Sequence, residues 1–228
     1  MIKKKNALLI VDVQNDFCPG GALAIQGGDK VIPVINQIQP IFDTIIATRD
    51  WHPPNHVSFA VNHPGKNVYD IIDINGISQV LWPSHCVSGS IGAAFHPDLE
   101  TDRFKIILHK GMDPAIDSYS VFLENDKKKL TGMDDFLRRL EITRIFLCGL
   151  ATDYCVFYSA MDAISFGFET CVVIDACCGV DVPERNIEKA IQIMKSSGVK
   201  IVSSLELLWV HRGLVGKPIV TPENWTVC

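Results

Sequence analysis

The stretch ALLIVDV, residues 7–13, is apolar at every position except Asp12. An apolar run of this length without alternation is the pattern of a strand covered on both faces, as strands of a parallel sheet are. Working outward, similar short runs recur at residues 44–48 (TIIAT), 104–109 (FKIILH), 144–148 (RIFLC), 170–174 (TCVVI) and 200–202 (KIV). Between them lie segments with helical spacing of apolar residues: 29–42, through Val31, Ile32, Val34, Ile35, Ile38 and Phe42, then 133–140, 154–166 and 184–196. Strand-then-helix order repeated along a chain implies right-handed crossovers. The expected fold is α/β, a three-layer α/β/α architecture with a mostly parallel six-stranded sheet.

With 228 residues and no internal repeat or Gly/Ser linker, one domain over residues 1–228 is expected. Folding at this length buries roughly 70–75% of the extended chain's surface, enough for a core without staples. Two parts escape the periodic pattern. Residues 49–103 form a Pro-, Gly-, His- and Asn-rich insertion, and a segment that long inside a domain is functional or hides short elements. The tail, 203–228, mixes Leu205, Leu207, Leu208 and Trp209 with Pro218 and Pro222, and either packs back or meets a partner, so a homo-oligomer stays open. An apolar content of 47% with 21% charged residues is that of a folded globular chain rather than a disordered one. The formal charge of −5 argues against nucleic acid as a partner. The apolar run after Lys5 is too short for a membrane span or a signal peptide, so no membrane contact is expected. The eight cysteines lack zinc-site spacing and sit largely in apolar runs, which fits free thiols in a reducing cytoplasm.

In an open parallel sheet, ligands bind outside the carboxyl ends of the strands. The first run ends at Asp12, the second leads to Asp50 and His52, the third to Lys110 and the fourth to the loop bearing Cys155. Far apart in sequence, these residues should share one rim. Cys155 lies in GLATDYCVFYSAMDA, where Thr152 or Asp153 is placed to cap a helix. A thiol in the first helical turn, with Lys110 nearby, is expected to have a lowered pKa. DWHPPNH places Asp50, His52 and His56 within seven residues, and WPSHCV adds His85 from the same insertion, a donor set suited to a divalent metal such as zinc, iron or manganese.

Together these residues carry a family resemblance. DVQNDF (12–17), RDWHP (49–53), WPSHCV (82–87), KGMDPAIDSYSVF (110–122) and GLATDYCV (149–156) resemble, in order, the motifs of the nicotinamidase/pyrazinamidase branch of the isochorismatase-like cysteine hydrolases. The resemblance implies a catalytic triad of Asp12, Lys110 and Cys155, and an oxyanion hole from the backbone N–H groups of Ala151 and Cys155 beside a cis Leu150–Ala151 peptide. It implies one divalent metal ion per chain, zinc first, on Asp50, His52 and His85, with His56 near enough to be a further ligand. Phe17, Trp82 and Tyr119 match positions that line a pyridine pocket. The implied reaction is hydrolysis of nicotinamide to nicotinate and ammonia through a thioester, extending to pyrazinamide and feeding NAD salvage. Tyr154, where some relatives place His, and the His52–His56 spacing depart from parts of the family. Competing readings are a superfamily hydrolase of carbamoyl compounds, ureides or isochorismate, and a metal-binding or redox-sensing protein without turnover.

Overall fold

The computed structural model describes residues 5–213. Its main sheet has six strands: β1 (Lys5–Val11), β2 (Ile45–Asp50), β5 (Ile106–Lys110), β6 (Ile142–Leu150), β7 (Glu169–Cys178) and β8 (Lys200–Val202). They lie in the order β5-β2-β1-β6-β7-β8, and every neighbouring pair is parallel. Ala7 through Val11 have no exposed surface at all, so both faces of β1 are covered. The covering helices are α1 (Val31–Ile38), α2 (Met133–Arg139), α3 (Phe157–Ser165), α4 (Asn186–Ser196) and α5 (Ser204–His211). Helices α1 and α5 touch each other and β7, while α3 touches β7 and α4. Helix α1 is shorter than its apolar periodicity predicts: 28–30 and 39–41 are single 3-10 turns, the second opened by Pro40, which cannot donate the backbone hydrogen bond an α-helix needs.

The chain starts at the centre of the sheet, builds β1-β2-β5 toward one edge, then returns beside β1 with β6 and builds β6-β7-β8 toward the other. The strand order reverses between β1 and β6. That reversal opens a crevice at their carboxyl ends, because the connections leave in opposite directions there. Asp12 directly follows β1 and Ala151 directly follows β6.

The insertion hides a hairpin, β3 (Ile71–Ile74) with β4 (Ile77–Val80), antiparallel around Asn75-Gly76. Both turn residues have positive φ, 54° and 82°, as a two-residue type I′ connection requires. The rest of the insertion folds back along β2's exit. His52 N–H donates to Cys86 O and Ser88 N–H to His52 O, while Trp82 N–H donates to Ser58 O and Ala60 N–H to Trp82 O. These two short ladders bring residue 52 beside residues 86–88, and residue 59 beside residue 82.

The first part of the tail is α5, capped by Ser203, whose side chain accepts from Glu206 N–H while the Glu206 carboxylate accepts from Ser203 N–H. The remainder, 214–228, lies outside the described residues. Seven cysteines are buried among the described residues. No helix there is long and apolar enough to cross a membrane.

Candidate active site

Asp12 leaves β1 in a left-handed conformation, φ 50°. Its carboxylate accepts from Thr48 Oγ1 on β2 at 2.6 Å and pairs with Lys110 Nζ at 2.8 Å. Lys110 ends β5 and is fully buried, so its ammonium must be surrounded by partners. It meets Asp12, a very close Asp50 Oδ1, Ser118 O at 3.1 Å and Cys155 Sγ at 3.3 Å. Asp12, Asp50 and Cys155 present their oxygen and sulfur atoms within 4.8 Å of one another. The charged and thiol groups predicted to share a rim therefore meet.

Cys155 does not sit in an ordinary first helical turn. Residues Thr152–Val156 form one π-helical turn leading into α3, entered from extended Ala151 after a cis Leu150–Ala151 peptide. Ala151 O accepts from both Tyr154 N–H and Val156 N–H at 3.1 Å. Neither Thr152 nor Asp153 caps the turn. Asp153 instead accepts from the N–H groups of Val180 and Asp181 and from Asn186 Nδ2, tying this turn to the segment after β7. Gly149 makes the approach possible: at φ 113°, a Cβ there would fall 2.1 Å from Val11 O on β1.

The expected lowered thiol pKa is also corrected. Burial pushes the Cys155 thiol well above its ordinary value, and Lys110 only partly offsets this against Asp12 and Asp50. Removal from water costs a thiolate more here than the helix end returns. Burial also raises Asp12 to about 6, with Lys110 opposing. The resting site near neutral pH thus pairs a neutral thiol with an ionised Asp12 and a Lys110 held as ammonium by its two carboxylates. An ionised carboxylate stands beside an uncharged thiol.

Alongside this cluster, Asp50, His52 and His85 bring one ligand atom each within 4.8 Å of one another. All three are buried. His52 Nε2 lies 3.6 Å and His85 Nε2 3.8 Å from Asp50 Oδ2. The remaining ring nitrogens are engaged elsewhere, His52 Nδ1 with Gly111 O and His85 Nδ1 with Pro83 O, both at 2.8 Å. Donating Nδ1–H to a carbonyl leaves Nε2 as a free lone pair, the tautomer a metal needs. Gly111 allows it: at φ 64°, a Cβ there would lie 2.3 Å from His52 Cε1. Burial works to raise Asp50, yet Lys110 and the two imidazoles hold it well below the usual carboxylate range. Burial pushes His85 down to about 4, so it is neutral. For His52 burial works downward, and adjacent Asp50 reverses it, raising the pKa. A buried carboxylate and two imidazoles so arranged suit a divalent metal.

His56 stacks on His52 with ring centroids 4.1 Å apart, but its ligand atom groups with His52 and Asp117, not with Asp50 and His85. Its Nδ1 is engaged by Ser58 Oγ at 2.7 Å.

One cavity is lined by Phe17, Trp82 and Tyr119 together with Asp50, His85, Ala151 and Cys155. All three predicted aromatic residues are therefore present in its wall. Trp82 Nε1–H donates to Tyr119 Oη at 3.1 Å, which ties two of them together. Sequence reading missed Thr48, Gln79 and Asp117, and Leu23 and Val180 of the cavity wall. Thr48 carried a signal, a hydroxyl at the carboxyl end of an otherwise apolar strand. Asp117 stood inside a quoted motif without a role. It accepts from Gln79 Nε2 and from Ser118 N–H, both at 2.8 Å, steadying the Ser118 carbonyl that holds Lys110.

Residues 6–206 match the isochorismatase domain family. A nicotinamidase of Acinetobacter baylyi is 46% identical over 89% of this chain and 94% of its own length. The solved nicotinamidase/pyrazinamidase of Acinetobacter baumanii superposes with a TM-score of 0.88 at 44% identity, over 91% of this chain and all of that one. A Pyrococcus horikoshii pyrazinamidase solved in complex with zinc superposes with a TM-score of 0.71 at 37% identity, over 87% of this chain and 99% of that one. The chain belongs to the isochorismatase family.

Proposed function

We propose that this chain is a metal-dependent cysteine amidohydrolase that converts nicotinamide to nicotinate and ammonia. The observation carrying this reading is that Cys155, Asp50 and His85 line one small aromatic cavity, with Asp12 and Lys110 gathered at the sulfur. Relatives named nicotinamidase at 46% and 42% identity support the substrate.

Amide hydrolysis needs a nucleophile, a proton for a poor leaving group and stabilisation of charge on oxygen. Cys155 Sγ attacks the carboxamide carbon as Asp12 takes the thiol proton. Lys110 offsets the negative charge that moves between sulfur and carboxylate. The backbone N–H groups of Ala151 and Cys155 receive the oxyanion, and one such donor is worth roughly 2.7–4 kcal/mol in other enzymes. Asp12 then passes its proton to departing ammonia, leaving a thioester that water hydrolyses with Asp12 again as base. Phe17, Trp82 and Tyr119 hold the flat ring so that the amide stays against sulfur. Asp50, His52 and His85 would hold a divalent ion, zinc foremost with iron or manganese as alternatives. Such an ion supplies a Lewis-acidic point for the pyridine nitrogen. Pyrazinamide, with a ring of the same shape, is a second substrate, and the product would feed NAD salvage. We assign the chain as one domain acting in the reducing cytoplasm, where its buried cysteines stay reduced.

The test is ammonia release from nicotinamide by the purified protein, before and after dialysis against a chelator. Turnover that is lost with the metal and returns with added zinc, iron or manganese is expected. No release under any metal condition, with N-carbamoyl substrates cleaved instead, overturns the reading.

A further inference from the structure

We propose that Tyr69 is a specificity-determining and positioning residue that narrows the mouth of the substrate cavity and braces its Trp82 wall; this rests on the proposed nicotinamide reaction. The cavity does not end in a closed floor on every side. Leu23 and Val180, which line it, also line an outer groove that opens to solvent. The two spaces therefore share that pair as a common wall. Tyr69 lines the outer groove beside them, half-exposed at 46%. Its ring stands edge-on to Trp82, centroids 6.0 Å apart at 88°, while Trp82 is edge-on to Tyr154 at 4.8 Å. Trp82 is thus held from outside by Tyr69 and from inside by Tyr154 and the Tyr119 hydroxyl.

The backbone points the same way. Tyr69 has φ 71°, a left-handed conformation in which a bulky residue is disfavoured and glycine or asparagine is at ease. Its N–H donates to Leu81 O at 2.6 Å, and Leu81 N–H donates to Asp70 O at 2.8 Å, clamping this turn to the residue before Trp82. That clamp uses only backbone groups, so any residue supplies it. What tyrosine adds at this position is its ring, and the ring packs against Trp82 of the cavity wall. A residue that contributes only a turn has no reason to carry an aromatic side chain here at a conformational cost.

The two roles make opposite predictions for one variant. Tyr69→Gly removes the ring and relieves the backbone, so its melting temperature should equal or exceed that of the parent. Its selectivity should nonetheless fall. On a panel of nicotinamides carrying a methyl or larger group on ring carbon 4, 5 or 6, kcat/KM relative to nicotinamide should rise at least fivefold for one or more members. KM for nicotinamide itself should rise several-fold with kcat changing less than twofold. Tyr69→Phe, which keeps the ring, should match the parent on all three measures. A Tyr69→Gly variant that turns over nicotinamide with an unchanged KM and with every panel ratio within twofold of the parent overturns the proposal. A parent protein that releases no ammonia from nicotinamide overturns the underlying functional reading instead, so the two failures are told apart.

Discussion

The carboxyl rim of the main sheet and the insertion between β2 and β5 both line the same cavity, but different forces hold them. Asp12, Asp50 and Lys110 sit at the ends of β1, β2 and β5, and Cys155 one turn beyond β6; β1, β2 and β6 are largely buried, while β5 is an edge strand buried only at Lys110 itself. Their positions follow from sheet register: Asp50 lies opposite Lys110 because β2 and β5 pair in parallel from Ile46 and Ile106 onward. His52, His56, Trp82 and His85 instead depend on a few backbone hydrogen bonds between distant loop segments, on the clearance left by Gly111 and on stacked rings. The rim is over-determined by the core. The insertion is set by a small number of local contacts, and it carries the imidazoles and part of the ring-binding wall. Under the proposed function, chemistry is placed on the sheet rim and recognition largely on the insertion.

Substitutions should separate the two. Cys155→Ala removes the nucleophile and little volume, so ammonia release should fall by at least about a thousandfold. Metal content and nicotinamide binding, measured by elemental analysis and calorimetry, should remain; ligand binding lost along with turnover would show that rim and insertion do not act separately. The next largest effect is expected from His85→Ala in the insertion. Bound metal should weaken at least about 10–100-fold and KM for nicotinamide should rise, while the melting temperature of metal-free protein stays close to the parent's. A large fall in that temperature would place His85 among the groups that hold the fold. The smallest effect concerns the rim's proton balance. Asp12, raised to about 6 by burial, must be ionised to accept the thiol proton. Activity should therefore rise with pH through about 6 and fall about tenfold per unit below it. A flat profile between pH 5 and 7 would remove Asp12 as the base.

The same contrast governs what could be read in advance. Asp12, Asp50 and Lys110 each follow an apolar run, so a strand pattern and the rule that ligands gather at strand carboxyl ends located them. The β3–β4 hairpin was missed although Asn75-Gly76 is a strong turn signal, because its flanking strands are only four residues each and half-exposed. The sequence at Cys155 predicts an ordinary capped helix, since nothing in TDYCV distinguishes a π turn from an α turn. Asp153, which looked like a cap, binds the segment after β7 instead. The thiol's ionisation was read in the wrong direction because a helix end is a local feature, whereas burial is supplied by the whole fold.

By itself the sequence determined the layered α/β architecture, the strand order of events along the chain and which polar residues stand at strand ends. These depend on hydrophobic periodicity and on short-range backbone preference, both written in consecutive residues. Only the tertiary structure decided that the sheet reverses between β1 and β6, that His52 and His85 meet across 33 intervening steps of chain, that Lys110 bridges both acids, and that Tyr69 packs against Trp82 of the cavity wall. Those outcomes depend on desolvation and on distances between segments remote in sequence, quantities that no local pattern contains.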